Sequence, residues 1–174
     1  EIKLGNYSCK ETREAGYTCE EATKAGWYNL TDLREGGYSC KEVKEVGFIA
    51  GLKEAGYPVK QAYKAGYTSK ECRVGGYPVR ECMEMGHETE IKDAGFTADE
   101  ALEDGLTCTE CRRAGWVLSE LKAAGYVFGI KDAGFTSKET RDLGYSCTEA
   151  RAGGFTCRDV RDGGYMCSEA MEAG

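Results

Sequence analysis

Glycine returns at nearly every tenth residue of this chain, from Gly5 to Gly174, and that spacing constrains the fold more than any other feature. Eighteen such glycines bound seventeen units; twelve units have ten residues, two have eleven and three have nine. A self-similar period this short marks a repeat architecture, in which each unit buries its apolar face only against its neighbours. Mean hydropathy is −0.54 although 41% of the residues are apolar, so apolar and polar residues alternate finely. No run approaches the roughly 20 apolar residues of a membrane helix.

The unit reads glycine, aromatic, Ser or Thr, Cys or a small residue, any residue, Glu, small apolar, Lys or Arg, acidic, Ala. Gly16–Ala25 is one copy and Gly144–Gly153 another. Ser or Thr in the third slot and Glu in the sixth form a capping box, as in Thr18 with Glu21, Ser39 with Glu42, Thr68 with Glu71, Thr97 with Glu100 and Thr107 with Glu110. The aromatic before the cap and the apolar seventh residue form a hydrophobic staple: Tyr17 with Ala22, Tyr38 with Val43, Trp116 with Leu121. The closing glycine suits the position after a helix, where φ turns positive. Each unit therefore carries its own start and stop signal.

These signals predict an all-α solenoid of about seventeen very short helices, one per repeat. A helix of six or seven residues is too short to stand alone, so stacking must hold it. The Ala or Gly of the tenth slot leaves room for a neighbouring backbone. A β-solenoid is the alternative reading of Gly-aromatic-Thr; the capping boxes and the Glu, Lys, Arg and Ala of the interiors favour helices.

The chain reads as a single array over 1–174, most regular over 47–163. It opens in mid-repeat and stops on a repeat glycine, so a fragment of a longer array is expected. The nine-residue units begin at Gly47, Gly86 and Gly125, each 39 residues after the last. That spacing points to four helices per superhelical turn, or to duplication of a four-unit block. Two of the short units carry an inner glycine, Gly51 and Gly129.

Of the ten cysteines, seven fill the fourth slot (Cys9, Cys19, Cys40, Cys108, Cys147, Cys157, Cys167) and three the seventh (Cys72, Cys82, Cys111). The plain expectation is that they are small buried apolar residues. Disulfides come next: a stack repeating every 39 residues would set Cys72 over Cys111 and Cys108 over Cys147, and neighbouring units offer Cys9 with Cys19, Cys72 with Cys82 and Cys147 with Cys157 or Cys167. Metal comes third. Cys108 and Cys111 have CxxC spacing, but a structural zinc site takes four ligands and no second CxxC exists. His87 occupies an aromatic slot and reads as a substitute for tyrosine.

Lys or Arg fills most eighth slots and an acidic residue most ninth slots, which on a solenoid become adjacent stripes with weak ion pairs. The departures carry the functional expectation. Tyr63, Met83, Leu102 and Met171 replace the base, and Trp27, Tyr28 and Phe128 add aromatic bulk near irregular units. Catalysis has little support: with one histidine there is no nucleophile–base set, and each glycine is explained by its repeat.

The motif Ala-Gly-aromatic-Ser/Thr-x-x-Glu-Ala/Val/Thr-Arg/Lys resembles the degenerate decapeptide repeats of microbial and algal proteins. The likeness covers nearly the whole chain and departs at Pro58 and Pro78, which replace the capping hydroxyl, and at the nine-residue units. It implies a repeat architecture and no particular activity. The expectation is a non-catalytic scaffold or linker that contacts other proteins, as a subunit of a large assembly or by self-assembly, with no cofactor and no nucleic acid. The net charge of −7 disfavours nucleic acid, whose binding requires clustered positive charge. The alternatives are a cysteine-based metal-binding or redox protein and a disulfide-stapled extracellular fibre.

Overall fold

Every full-length repeat among the described residues folds as one short helix between two turns. The computed structural model describes residues 7–26 and 29–166, and it forms two units, Glu1–His87 and Glu88–Gly174. The first unit contains α1 (Cys9–Glu14), α2 (Cys19–Lys24), α3 (Leu30–Glu35), α4 (Cys40–Glu45), α5 (Val59–Lys64), α6 (Ser69–Val74) and α7 (Val79–Glu84). The second contains α8 (Ala98–Glu103), α9 (Cys108–Arg113), α10 (Leu118–Ala123), α11 (Ser137–Asp142), α12 (Cys147–Ala152) and α13 (Cys157–Asp162). All thirteen are six residues long, and no strand occurs among the described residues.

The caps set that length. In α9, Thr107 Oγ1 accepts from the Glu110 amide at 3.2 Å, and the Glu110 carboxylate accepts from the Thr107 amide at 2.7 Å. The same reciprocal box starts α1, α2, α4, α6, α8, α11, α12 and α13. Pro58 and Pro78 start α5 and α7 without a side-chain acceptor. At the other end the glycine and the aromatic close a Schellman motif. The Gly37 amide donates to Arg34 O at 3.0 Å and the Tyr38 amide to Leu33 O at 2.9 Å. Gly37 sits at φ 87°, in the left-handed region that favours glycine.

Stacking supplies what six residues cannot. Within each unit a repeat packs on its neighbour and on the second repeat beyond, as α1 on α3, α4 on α5, α8 on α10 and α11 on α13. The core is built from the second, fourth and seventh slots: Tyr38, Cys40 and Val43 in the first unit, Trp116, Leu118 and Leu121 in the second, all buried.

Two ladders tie the layers together. Every buried tyrosine among the described residues except Tyr126 donates its hydroxyl to the backbone carbonyl of the aromatic two repeats earlier. Tyr38 reaches Tyr17 O at 2.9 Å, Tyr57 reaches Tyr38 O at 2.9 Å and Tyr77 reaches Tyr57 O at 2.6 Å. Tyr145 and Tyr165 repeat the pattern onto Tyr126 O and Tyr145 O. The eighth-slot cation instead reaches three repeats forward, over the aromatic ring and to the capping carboxylate. Arg13 lies 4.6 Å from the Tyr38 ring centroid and 3.0 Å from Glu42. Lys44 lies over Tyr67 and 3.4 Å from Glu71. In the second unit Lys92 meets Glu120 and Lys131 meets Asp159, both at 2.7 Å.

A repeat thus has its axial neighbours two and three repeats away, so a superhelical turn holds between two and three repeats. The four-helix turn expected from the 39-residue spacing is not the geometry of the stack. The nine-residue units mark something local. They form turns in place of an α-helix, with a 3-10 turn at Glu88–Glu90 in the middle one. In the two that carry an inner glycine, Gly51 and Gly129 turn at φ 80° and 73°. The amide of the eighth slot then donates across the stack at 3.0 Å, Lys53 to Gly75 O and Lys131 to Gly153 O. A methyl on Gly153 would stand 2.9 Å from Val127 O, and one on Gly75 would stand 3.2 Å from Ile49 O. The tenth-slot glycine two repeats on is therefore the counterpart of the inner glycine. The middle short unit has no inner glycine, and the residue two repeats on from it is Ala114.

Candidate functional site

The cysteines enter the core where their slots dictate. Cys72, Cys82 and Cys111 of the seventh slot are fully buried, and Cys9, Cys19, Cys40, Cys108 and Cys147 of the fourth are nearly so. Cys157 is exposed. Cys167 lies outside the described residues. Burial pushes the Cys19, Cys40 and Cys108 thiols up to about 11 and Cys72 up to about 12, because a thiolate loses its hydration there. Cys111 Sγ donates to the Tyr126 hydroxyl at 3.0 Å.

No disulfide joins the expected pairs Cys72–Cys111 and Cys108–Cys147. For Cys108 and Cys147 the reason is axial spacing: 39 residues is four repeats, whereas the stack brings together the second and third. No group of three or more His, Cys, Asp or Glu side chains among the described residues is arranged to hold a metal ion. Cys108 and Cys111 face the core around Tyr126, one turn apart on α9.

The eighth-slot departures divide into two kinds. Tyr63 and Met83 turn inward. The Tyr63 hydroxyl donates to Ser69 Oγ at 3.1 Å, and its ring stacks on His87 with centroids 4.4 Å apart and planes 8° apart. This pair occupies the register of the cation–ring pairs, with the ring on the eighth slot and the basic side chain on the second. Met83 is buried, 8% exposed, and belongs to the core rather than to an open surface. Leu102 and Phe128 turn outward, 40% and 76% exposed. Trp27, Tyr28 and Met171 lie outside the described residues.

Leu102 and Phe128 line one groove of the second unit, with a volume of about 370 Å³, together with Leu106, Tyr126, Val127 and Asp132. A second depression of about 520 Å³ holds Val117, Phe135 and Leu143, rimmed by Arg112, Glu139 and Asp142. Sequence reasoning did not single out Val117 and Leu143. The signal was there, since each puts a large apolar residue where the repeat calls for a hydroxyl or an alanine.

Charge is divided unevenly. Residues 1–87 carry thirteen basic and thirteen acidic residues, and 88–174 carry ten basic and seventeen acidic. The whole net charge of −7 therefore resides in the second unit. No helix of the described residues is long and apolar enough to cross a membrane.

Six-residue helices, Schellman turns and two interlocking ladders define a short-helix repeat protein of the solenoid class. Within that class the chain belongs to the decapeptide repeat family: the family model for the decapeptide repeat region matches residues 6–78 and 49–128. No curated protein and no solved structure matches the chain.

Proposed function

We propose that this protein is a non-catalytic scaffold that contacts other proteins through places where its repeat rule is broken outward. The observation that supports this reading is where the recurrent polar groups go. The Ser, Thr and Glu of each box are taken up by the helix amides, and the eighth-slot cations by rings, carbonyls and carboxylates three repeats on. Little is left over to converge as acid, base and nucleophile. The thiols are mostly buried and held protonated, which works against redox exchange and metal ligation, since both need the thiolate. Departures from consensus that stay exposed, such as Leu102 and Phe128, are then the surface with something to recognise.

A photo-reactive amino acid placed in turn at 74, 117, 128, 138 and 143, in the native host, tests this. Discrete protein adducts from one or two of these positions, with none from 138, are the expected result. Equal, diffuse adducts from every position would overturn the reading.

A further inference from the structure

The groove between Leu102 and Phe128 has a counterpart in the first unit that shows what the fold itself requires there. Gly125–Ala133 and Gly47–Ala55 are both nine-residue units with an inner glycine in the left-handed region, and both pair their eighth-slot amide with a glycine carbonyl two repeats on. In the first unit the residue before the inner glycine is Ala50, and the eighth-slot residue three repeats earlier is Thr23. In the second unit those positions are Phe128 and Leu102. The turn does not need an aromatic, since Ala50 serves, and the ladder does not need a leucine, since lysine or arginine is its rule. Two apolar replacements line one groove, and both remain exposed to water. The fold gains nothing from leaving them there.

The charge around them narrows the occupant. Residues 88–110 carry eight acidic side chains and one lysine. Asp132 lines the groove, and Asp99, exposed three residues before Leu102 on α8, shares its helix face. An apolar groove with the Asp132 carboxylate in its lining, beside a segment rich in acidic residues, recognises a cationic segment with an apolar anchor. It repels phosphate-rich nucleic acid and anionic lipid. It also disfavours pairing with the same face of a second copy, which would set one unit of charge −7 against another.

We infer that the Leu102–Phe128 groove is a docking site for a partner protein's basic segment, seating an apolar side chain between Leu102 and Phe128 and Lys or Arg side chains against Asp99 and Asp132. The inference rests on the scaffold reading and names the chemistry of the partner.

The test uses the whole chain and three fluorescent fifteen-residue probes: one of Lys and Leu with a central Phe, one with Glu for Lys, and one with Ser for the apolar residues. The variant is the double change Leu102→Thr and Phe128→Ala, which copies the counterpart site and so keeps a residue the fold already accepts at each place. Its melting curve is expected to match the parent. The Lys-Leu-Phe probe is expected to bind the parent saturably and the variant at least about tenfold more weakly, as for loss of a central anchor, and to weaken between 0.1 and 0.5 M salt. The other two probes are expected not to bind. Equal binding to parent and variant, binding of the Glu probe, or a parent dimer in sedimentation that the variant abolishes would each overturn the inference. The photo-adducts described above separate the two readings: adducts from 74 or 143 with none from 128 leave the scaffold standing and remove this groove.

Discussion

At the scale of single residues, two kinds of glycine do different work. Gly154 needs its backbone, at φ 100°, while Gly153 lacks room for a side chain because Val127 O approaches across the stack. Gly153→Ala is therefore expected to destabilise by about 1–3 kcal/mol, the cost of overpacking, read as a lower urea midpoint. Ala114→Gly at the analogous place opens no clash and is expected to cost less than about 1 kcal/mol, near the helix-propensity difference. The thiols give a second residue-scale test. In native protein at pH 8, iodoacetamide is expected to modify Cys157 well before Cys19, Cys40, Cys72 or Cys108, whose burial holds them protonated. Peptide mapping reads the order, and early labelling of Cys72 would contradict its placement in the core.

At the scale of the element, the helices stand or fall by their caps. Thr107→Ala removes a side-chain acceptor and is expected to cost about 1 kcal/mol. Val117 offers no side-chain acceptor at the same slot, and of the two bonds of a box only that from its amide to the Glu120 carboxylate, at 2.8 Å, is made. Val117→Thr would complete that box and is expected to raise stability by about 0.5–1 kcal/mol, seen as a higher melting temperature by circular dichroism. The carboxylate half of the box makes stability depend on pH. Backbone hydrogen bonds from Ser8, Thr68 and Ser146 hold the Glu11, Glu71 and Glu149 carboxyls below the usual 4.5, and the Thr136 hydroxyl does the same first for Glu139. The unfolded chain takes up those protons first as pH falls. The stabilisation is thus fully present above 4.5 and is lost as pH drops through the lower folded values. Melting temperature is expected to hold from pH 7 to 5 and to fall steadily from 4.5 to 2.5. A flat profile there would contradict the role of the boxes.

At the scale of the whole molecule, the two ladders limit how far a disturbance travels. Each repeat answers to neighbours one, two and three places away, so stability behaves as a sum of short-range terms. Tyr57→Phe deletes the donor to Tyr38 O and breaks one rung, at a cost of about 1 kcal/mol. Hydrogen exchange is expected to quicken in the repeats between 37 and 85 and to stay unchanged over 134–166. Uniform quickening along the chain would mean a single cooperative unit instead. The same short range explains the uneven legibility of this sequence. Caps, staples and stop glycines act within five residues, so Thr107, Glu110, Trp116, Leu121 and Gly125 declare their helix and its ends from their order alone. The number of repeats per turn is not written in any one unit. It follows from how tyrosine hydroxyls reach two repeats back and cations three forward, and the 39-residue recurrence of short units concealed it.

The candidate surface divides in the same way. Leu102 and Phe128 could be picked out as exceptions to the repeat, but Tyr63 and Met83 were exceptions of the same kind and the fold turned them inward. Whether a departure faces water or core depends on what the third repeat on presents to it: a stacked His87 for Tyr63, an open turn around Gly129 for Leu102. The glycine period by itself determined a stack of short helices with caps at both ends, because those signals are local and repeat without interruption. Only the tertiary structure decided the pitch of the stack, the burial of the thiols and which apolar exceptions remain exposed, because each depends on contacts between residues about twenty to thirty positions apart that no single repeat contains.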